Sequence, residues 1–270
     1  MKQLLMVALA GCALESVPDL ADISSEVTSA NKLAANKLAA NKLAANTLAA
    51  NSMRASSLSQ SPLIETPEGR EVLSYIVSCA LREGQSIQVR DREGRLYEFA
   101  GSIGLASAWA SREPTVSERR WVSACVLSRT NLYGIRVELS MRGSHAALAG
   151  SVRESLDYAL VEGAFYGDLF AEDGPKMYAC AAEVRDLDLE LSTQDLRACA
   201  ISEDGKLTGC GFTYTGKCSV IDVSLAPACN SVAFPYQRCR AGRGRGDEIY
   251  AEVITVSLAT ALGTNAHPPN

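Results

Sequence analysis

Residues 75–89, "YIVSCALREGQSIQV", and residues 121–137, "WVSACVLSRTNLYGIRV", decide the fold class because both run through the same three signals. Apolar residues at helical spacing place a cysteine, Cys79 or Cys125, on the inward side; a short turn follows, and then a strand. Upstream, Thr66-Pro67-Glu68 is a helix start with proline in the first turn, and Gly84 is the stop. The second helix opens near Thr115 to Ser117, after Pro114, with Trp121, Cys125 and Val126 or Leu127 inward. "SIQVRDREGRLYEF" (86–99) predicts two strands around a turn at Glu93-Gly94, and "IRVELSM" (135–141) predicts another. The first half therefore reads helix, strand, helix, strand. If its helices pack side by side, Cys79 reaches Cys125.

Downstream, the chain turns β-rich and cysteine-dense. "VRDLDLEL" (184–191) alternates Leu187, Leu189 and Leu191 against Asp186, Asp188 and Glu190. We read that acidic ladder as a solvated face in preference to a calcium site, since no second segment supplies ligands. "STQDLRAC" (192–199) predicts a short helix capped by Ser192, "CGFTYTGKC" (210–218) a hairpin, and "EIYAEVITVSLA" (248–259) a late strand closing the sheet. Residues 263–270 read as a polar tail. The expected class is α+β, with a β-rich, disulfide-stapled second half.

The first twelve residues carry an address. Met1-Lys2-Gln3 is followed by a short apolar run, Leu4 to Ala10, which is signal-peptide grammar and too short to span a bilayer. Leu9-Ala10-Gly11-Cys12 resembles the lipobox of bacterial lipoproteins. That resemblance implies cleavage after residue 11, lipid with palmitate on Cys12 and membrane attachment. With no acidic residue directly after Cys12, it also implies the outer membrane. Removing Cys12 from the nine cysteines leaves Cys79, Cys125, Cys180, Cys199, Cys210, Cys218, Cys229 and Cys239. An even set behind a secretory signal reads as a disulfide framework. A zinc site would want close cysteine pairs with histidines nearby, whereas His145 and His267 are the only histidines. Neither a metal nor a cofactor is expected.

Between address and domain lies "NKLAANKLAANKLAANTLAAN" (31–51). Leu33, Leu38, Leu43 and Leu48, continued by Met53 and Leu58, recur every five residues, which on an α-helix is a step of about 140° and makes no stripe. The unit resembles the pentapeptide repeat, whose family forms a square β-helix, but asparagine stands two before leucine where that family has a small residue. Residues 13–62 hold no aromatic, glycine or cysteine and balanced charge. We read residues 12–62 as a lipid-bearing tether to a domain at 63–262.

From Leu63 onward, 21 basic residues face 27 acidic ones, so no basic field exists to recruit nucleic acid. "RCRAGRGRGDE" (238–248) contains Arg245-Gly246-Asp247, a three-residue match read as part of a glycine-rich loop. Its glycines lack the strand-turn-helix setting of a phosphate loop. His145, in the small-residue loop "MRGSHAALAGS" (141–151), is read as a loop side chain, not a catalytic base. The most site-like stretch is "EGAFYGDLF" (162–170), where Glu162 and Asp168 flank Phe165 and Tyr166. Paired carboxylates beside aromatics are what a sugar cleft uses. A tight connection whose aromatics plug the core is the weightier reading.

"LSYIVSCAL", "ERRWVSAC", "EVITVSL" and the Asn-Leu-Ala leader also resemble a group of cysteine-rich lipoproteins from myxobacteria. The resemblance supports the layout and implies no activity. Two functions remain. The preferred one is an envelope lipoprotein displaying a non-catalytic stapled domain toward a glycan or envelope protein; the alternative is an anchored glycan hydrolase acting through Glu162 and Asp168.

Overall fold

Two threonines start the long helices, Thr66 where the sequence predicts a start and Thr115 at the first position of the predicted range 115–117. In the computed structural model, which describes residues 28–31, 33–34, 37–38, 48, 53–134, 136–182, 197, 199–200, 202, 205–219, 227–230, 234–242, 244 and 246–259, the helices are α1 (Ala55–Leu58), α2 (Pro67–Ala80), α3 (Val116–Ser128) and α4 (Val152–Asp157). Thr66 Oγ1 accepts from the Gly69 N–H at the start of α2, and Thr115 forms a capping box with Glu118 at the start of α3. The strands are β1 (Thr28–Asn31), β2 (Leu33–Ala34), β3 (Ser86–Arg90), β4 (Leu96–Ala100), β5 (Thr130–Asn131) and β6 (Val137–Arg142). They continue as β7 (Leu160–Asp168), β8 (Lys176–Ala181), β9 (Thr213–Lys217), β10 (Cys239–Arg240), β11 (Ile249–Tyr250) and β12 (Ile254–Leu258). The fold is α+β. The lipobox, the acidic ladder 184–191, residues 192–196 of the expected helix and the tail 263–270 lie outside the described residues.

β3 and β4 form the expected hairpin, turning at Gly94 with φ +83°. Asp91 organises it: Oδ1 accepts from the Glu93 and Arg95 N–H groups, and Oδ2 from Arg95 Nε and the Tyr97 hydroxyl. Burial pushes this carboxyl up, but the bonds from Arg95 and Tyr97 outweigh it and hold the pKa below its ordinary 3.8. A depressed carboxylate contributes stability that is present above its unfolded pKa and lost as pH falls through the folded one. The Asp91→Asn chain is therefore expected to lose part of the wild type's acid-limb melting change below pH 3.8, read by thermal melts between neutral pH and pH 2.

α2 and α3 lie side by side, and Cys79 and Cys125 are bonded as expected, closing a separation of 46 residues. α3 differs from the one-sided helix its pattern suggests. Every residue from Trp121 to Ser128 is buried, because α2 covers one side while β7 and β12 cover another.

The main sheet runs β1-β6-β12-β7-β8-β9, antiparallel throughout except for the β8–β9 pair. The late strand β12 does not close the sheet at an edge; it is inserted between β6 and β7 near the middle. The expected hairpin at 210–218 reduces to a turn at Gly211 and one antiparallel bridge, Leu207↔Thr213, after which β9 runs parallel to β8. The sheet separates two cores. Phe165, Ala179, Val256 and Leu258 belong to the face under α3, whereas Ala164, Tyr166 and Cys180 belong to the opposite face, packed with Cys218, Cys229 and Cys239.

The tether boundary requires correction. Leu33, Leu38, Leu48, Met53 and Leu58 are buried in the core under the helices; Leu43 lies outside the described residues. β1 pairs with β6 at the edge of the main sheet, and β2 runs parallel to β5. Lys37 Nζ donates to Glu71 Oε2 of α2 at 2.5 Å, and the Met53 N–H donates to the Trp109 carbonyl at 2.9 Å. The domain thus begins by Thr28, not at residue 63. A segment with too few apolar groups for its own core can still lend a leucine every fifth residue to a core built elsewhere.

Candidate functional site

β7 carries all four residues of the site-like stretch, and the structure makes it neither a cleft nor a tight connection. It is a nine-residue strand flanked on both sides within the sheet. Its register against β12 pairs Val256 with Gly163 and Ser257 with Val161, so Glu162 is the extra residue of a β-bulge. The bulge inverts the alternation. Leu160 and Phe165 pack toward the helical core, while Val161, Ala164 and Tyr166 pack toward the disulfide core.

Glu162 enters a buried ion pair. Arg197 Nε donates to Glu162 Oε1 at 2.9 Å, Nη2 donates to the Ser128 carbonyl at the end of α3 at 2.8 Å, and the guanidinium carbon sits 5.5 Å from the Phe165 ring centroid. Burial pushes the Glu162 carboxyl above its ordinary value, against the pull of Arg197. The Arg197 carbonyl in turn accepts from the Leu132 N–H at 3.0 Å, and the Cys199–Cys210 bridge closes beside it. Arg197 joins the end of α3, the start of β7 and this small disulfide loop.

Asp168 sits at the other end of β7. Six residues of extended chain separate it from Glu162, about 20 Å, where a glycosidase pair needs roughly 5–9.5 Å. Its Oδ1 accepts from the Phe170 N–H at 2.9 Å, and its Oδ2 lies 3.6 Å from Arg119 Nη2. Burial pushes this carboxyl up too, opposed by the Phe170 N–H and then by Arg119, Arg120 and Lys176. The next residue fixes the chain to α3, the Leu169 N–H donating to Ser123 Oγ at 2.8 Å. Phe165 and Tyr166 are fully buried on opposite faces of the sheet. Glu162, Phe165, Tyr166 and Asp168 thus share a strand but do not converge on a ligand. This corrects their reading as one site, and the reason is that strand geometry and a bulge send neighbours to different cores.

The residues that do converge are Tyr166, Tyr178 and Tyr250, whose ring centroids lie 5.6–5.8 Å apart. The Tyr166 hydroxyl donates to the Arg240 carbonyl at 2.7 Å and lies 2.6 Å from Thr215 Oγ1. Burial pushes its phenol up. The Tyr250 hydroxyl donates to Glu248 at 2.9 Å, and Arg120 stacks 4.6 Å from its ring and pairs with Glu248. Tyr166→Phe strands the Arg240 carbonyl, and we expect a loss of about 1–3 kcal/mol in urea unfolding.

All eight cysteines outside Cys12 are bonded: Cys79–Cys125, Cys180–Cys218, Cys199–Cys210 and Cys229–Cys239. The Sγ atoms of Cys180, Cys218 and Cys229 lie within 4.8 Å of one another, a proximity the sequence spacing conceals, and each is held in one of these bridges. His145 is a loop residue, its Nδ1 accepting from the Ala147 N–H at 3.1 Å and its ring packed on Trp121. In the 238–248 loop the Asp247 carboxylate accepts from the Gly244 N–H; Arg245 lies outside the described residues.

The architecture is that of a disulfide-stapled α+β domain, and four bridges assign its folding to an oxidising, extracytoplasmic setting. Among the described residues no helix is long and apolar enough to cross a membrane. Comparison of the chain with protein-family models, with curated proteins and with solved structures finds no match.

Proposed function

We propose that the chain is an envelope lipoprotein, attached to the outer membrane by lipid on Cys12, which displays a non-catalytic stapled domain for binding or structural purposes. One observation carries this reading: of nine cysteines, eight pair among themselves, and the one left over is Cys12 of Leu9-Ala10-Gly11-Cys12. An unpaired cysteine in an exported chain needs a use, and acylation supplies one. The likeness to cysteine-rich myxobacterial lipoproteins agrees with this layout. Its ligand is a glycan or an envelope protein.

The non-catalytic part is supported by the surroundings of Glu162 and Asp168. A general acid must reach substrate, and these two carboxyls are buried, charge-paired and far apart. Hydrolysis through the pair would require Glu162→Gln to abolish turnover with an unchanged melt; we expect the melt to fall instead.

The test is the intact mass of protein purified from membranes, with thiol alkylation before reduction. The expected species starts at a lipid-bearing Cys12 and takes up no alkylating reagent. A chain without lipid, or with several free thiols, would overturn the reading.

A further inference from the structure

We propose that Val152 and Leu156 form the membrane-facing side of the domain and dock on the bilayer that holds the anchor. This inference rests on lipidation of Cys12.

The helix α4 is amphipathic in the wrong sense for a core helix. Glu154 is buried, 1 % exposed, whereas Val152 and Leu156 are 82 % and 72 % exposed. Residues four apart share a helix face, and Glu154, halfway between them, points the other way. The inward turn is held by specific bonds. Ser140 Oγ of β6 donates to Glu154 Oε1 at 2.5 Å, Arg142 Nη2 donates to the Glu154 carbonyl at 3.0 Å, and the Ser151 side chain caps the Glu154 N–H at 3.1 Å. The helix cannot roll its apolar pair inward without breaking the two bonds to β6. Phe234, 39 % exposed, stacks with its ring centroid 5.0 Å from the Arg142 guanidinium carbon, so the arginine that holds α4 is itself packed in place. Arg153, beside Val152, is exposed and lies 3.8 Å from the Asp157 carboxylate one turn on, so the polar rim of the patch carries both signs of charge.

The entry point of the chain says what covers this patch. Ser140, which holds Glu154, is the register partner of Thr28, the first described residue of β1. Thr28 lies sixteen residue steps along the chain from Cys12. Fully extended, they reach about 55 Å, and any shorter path brings Thr28 closer to the bilayer. A domain starting at residue 63 would have hung on a link three times as long. With β1 in the sheet, the chain departs toward the anchor from the strand paired with β6, whose Ser140 and Arg142 hold α4, and a permanently tethered surface needs little intrinsic affinity to be occupied.

The experiment uses the lipidated full chain in phosphatidylcholine/phosphatidylglycerol vesicles with or without brominated acyl chains, which quench tryptophan on contact. Leu156→Trp reports on the patch. Leu207→Trp, 53 % exposed and bridged to β9 at the opposite sheet edge, is the control. Both positions are exposed, so neither substitution disturbs the core. We expect bromolipid to lower Leu156→Trp emission at least two-fold beyond the buried Trp109 and Trp121 background, and to leave Leu207→Trp within a tenth of its unbrominated value. Adding Val152→Asp should remove the quenching while the protein still floats with vesicles. Flotation without quenching, or equal quenching at both positions, overturns the docking and leaves the lipoprotein reading intact. Emission shifts that follow protein concentration instead of lipid would assign the patch to a second copy and equally overturn it. A chain without lipid on Cys12 that fails to float overturns both.

Discussion

The chain carrying Leu33→Ala and Leu38→Ala is expected to lose about 4–10 kcal/mol of unfolding free energy, roughly 2–5 for each buried leucine. A domain is stable by about 5–15 kcal/mol in total, so this pair approaches complete unfolding. The argument rests on placement. Leu33 sits on β2 opposite Thr130 of β5, and Leu38 follows Lys37, which is ion-paired to Glu71 of α2. Both side chains are excluded from water. If residues 12–62 were only a tether, the same substitutions would behave as surface changes, within about 0.5 kcal/mol. Urea unfolding with the disulfides intact, followed by far-ultraviolet dichroism, separates the two. An unchanged midpoint would return the repeat to the role of spacer.

Arg197→Met is expected to cost about 3–5 kcal/mol, since it leaves the Glu162 carboxylate buried without its charge partner. The double substitution Glu162→Leu, Arg197→Met should recover most of that loss, because two apolar groups have no desolvation cost to offset. The single variant also acquires a pH signature. Burial already raises the Glu162 pKa above its ordinary 4.5, and removing the guanidinium strips away the opposing pull. A carboxyl with a raised folded-state pKa binds its proton better in the native chain than in the unfolded one. Acidification from neutral pH toward 4.5 therefore stabilises Arg197→Met relative to wild type, as thermal melts across that interval would read. If Arg197→Met and the double variant melted alike at every pH, the buried pair would not be an energetic unit.

The candidate site was half legible. "EGAFYGDLF" announced buried aromatics, and Phe165 and Tyr166 are buried. Nothing in the stretch announced the bulge at Glu162, which depends on how β12, some ninety residues later, seats against β7. Arg197 carried still less signal, since an arginine two positions before a cysteine reads equally as a solvated side chain. Its role exists only because the Cys199–Cys210 loop brings it under the end of α3. The tyrosine triangle is likewise assembled from three strands, β7, β8 and β11, whose residues Tyr166, Tyr178 and Tyr250 share no local pattern.

By itself the sequence determined what is decided within a few residues of chain: the helix starts at Thr66 and near Thr115, the turn at Gly94, and the two strands around it. It also determined an even cysteine set, and it made Cys79–Cys125 the expected bridge on the one condition, met in the fold, that the two helices lie side by side. Hydrogen bonds to caps and turns span three or four positions, so their residues are written side by side. Only the tertiary structure decided that the five-residue repeat belongs to the domain, that β12 lies between β6 and β7, and that Glu162 meets Arg197. Each of those depends on which distant surface is available to exclude water from a side chain, and a leucine every fifth residue states that it can be buried without stating where.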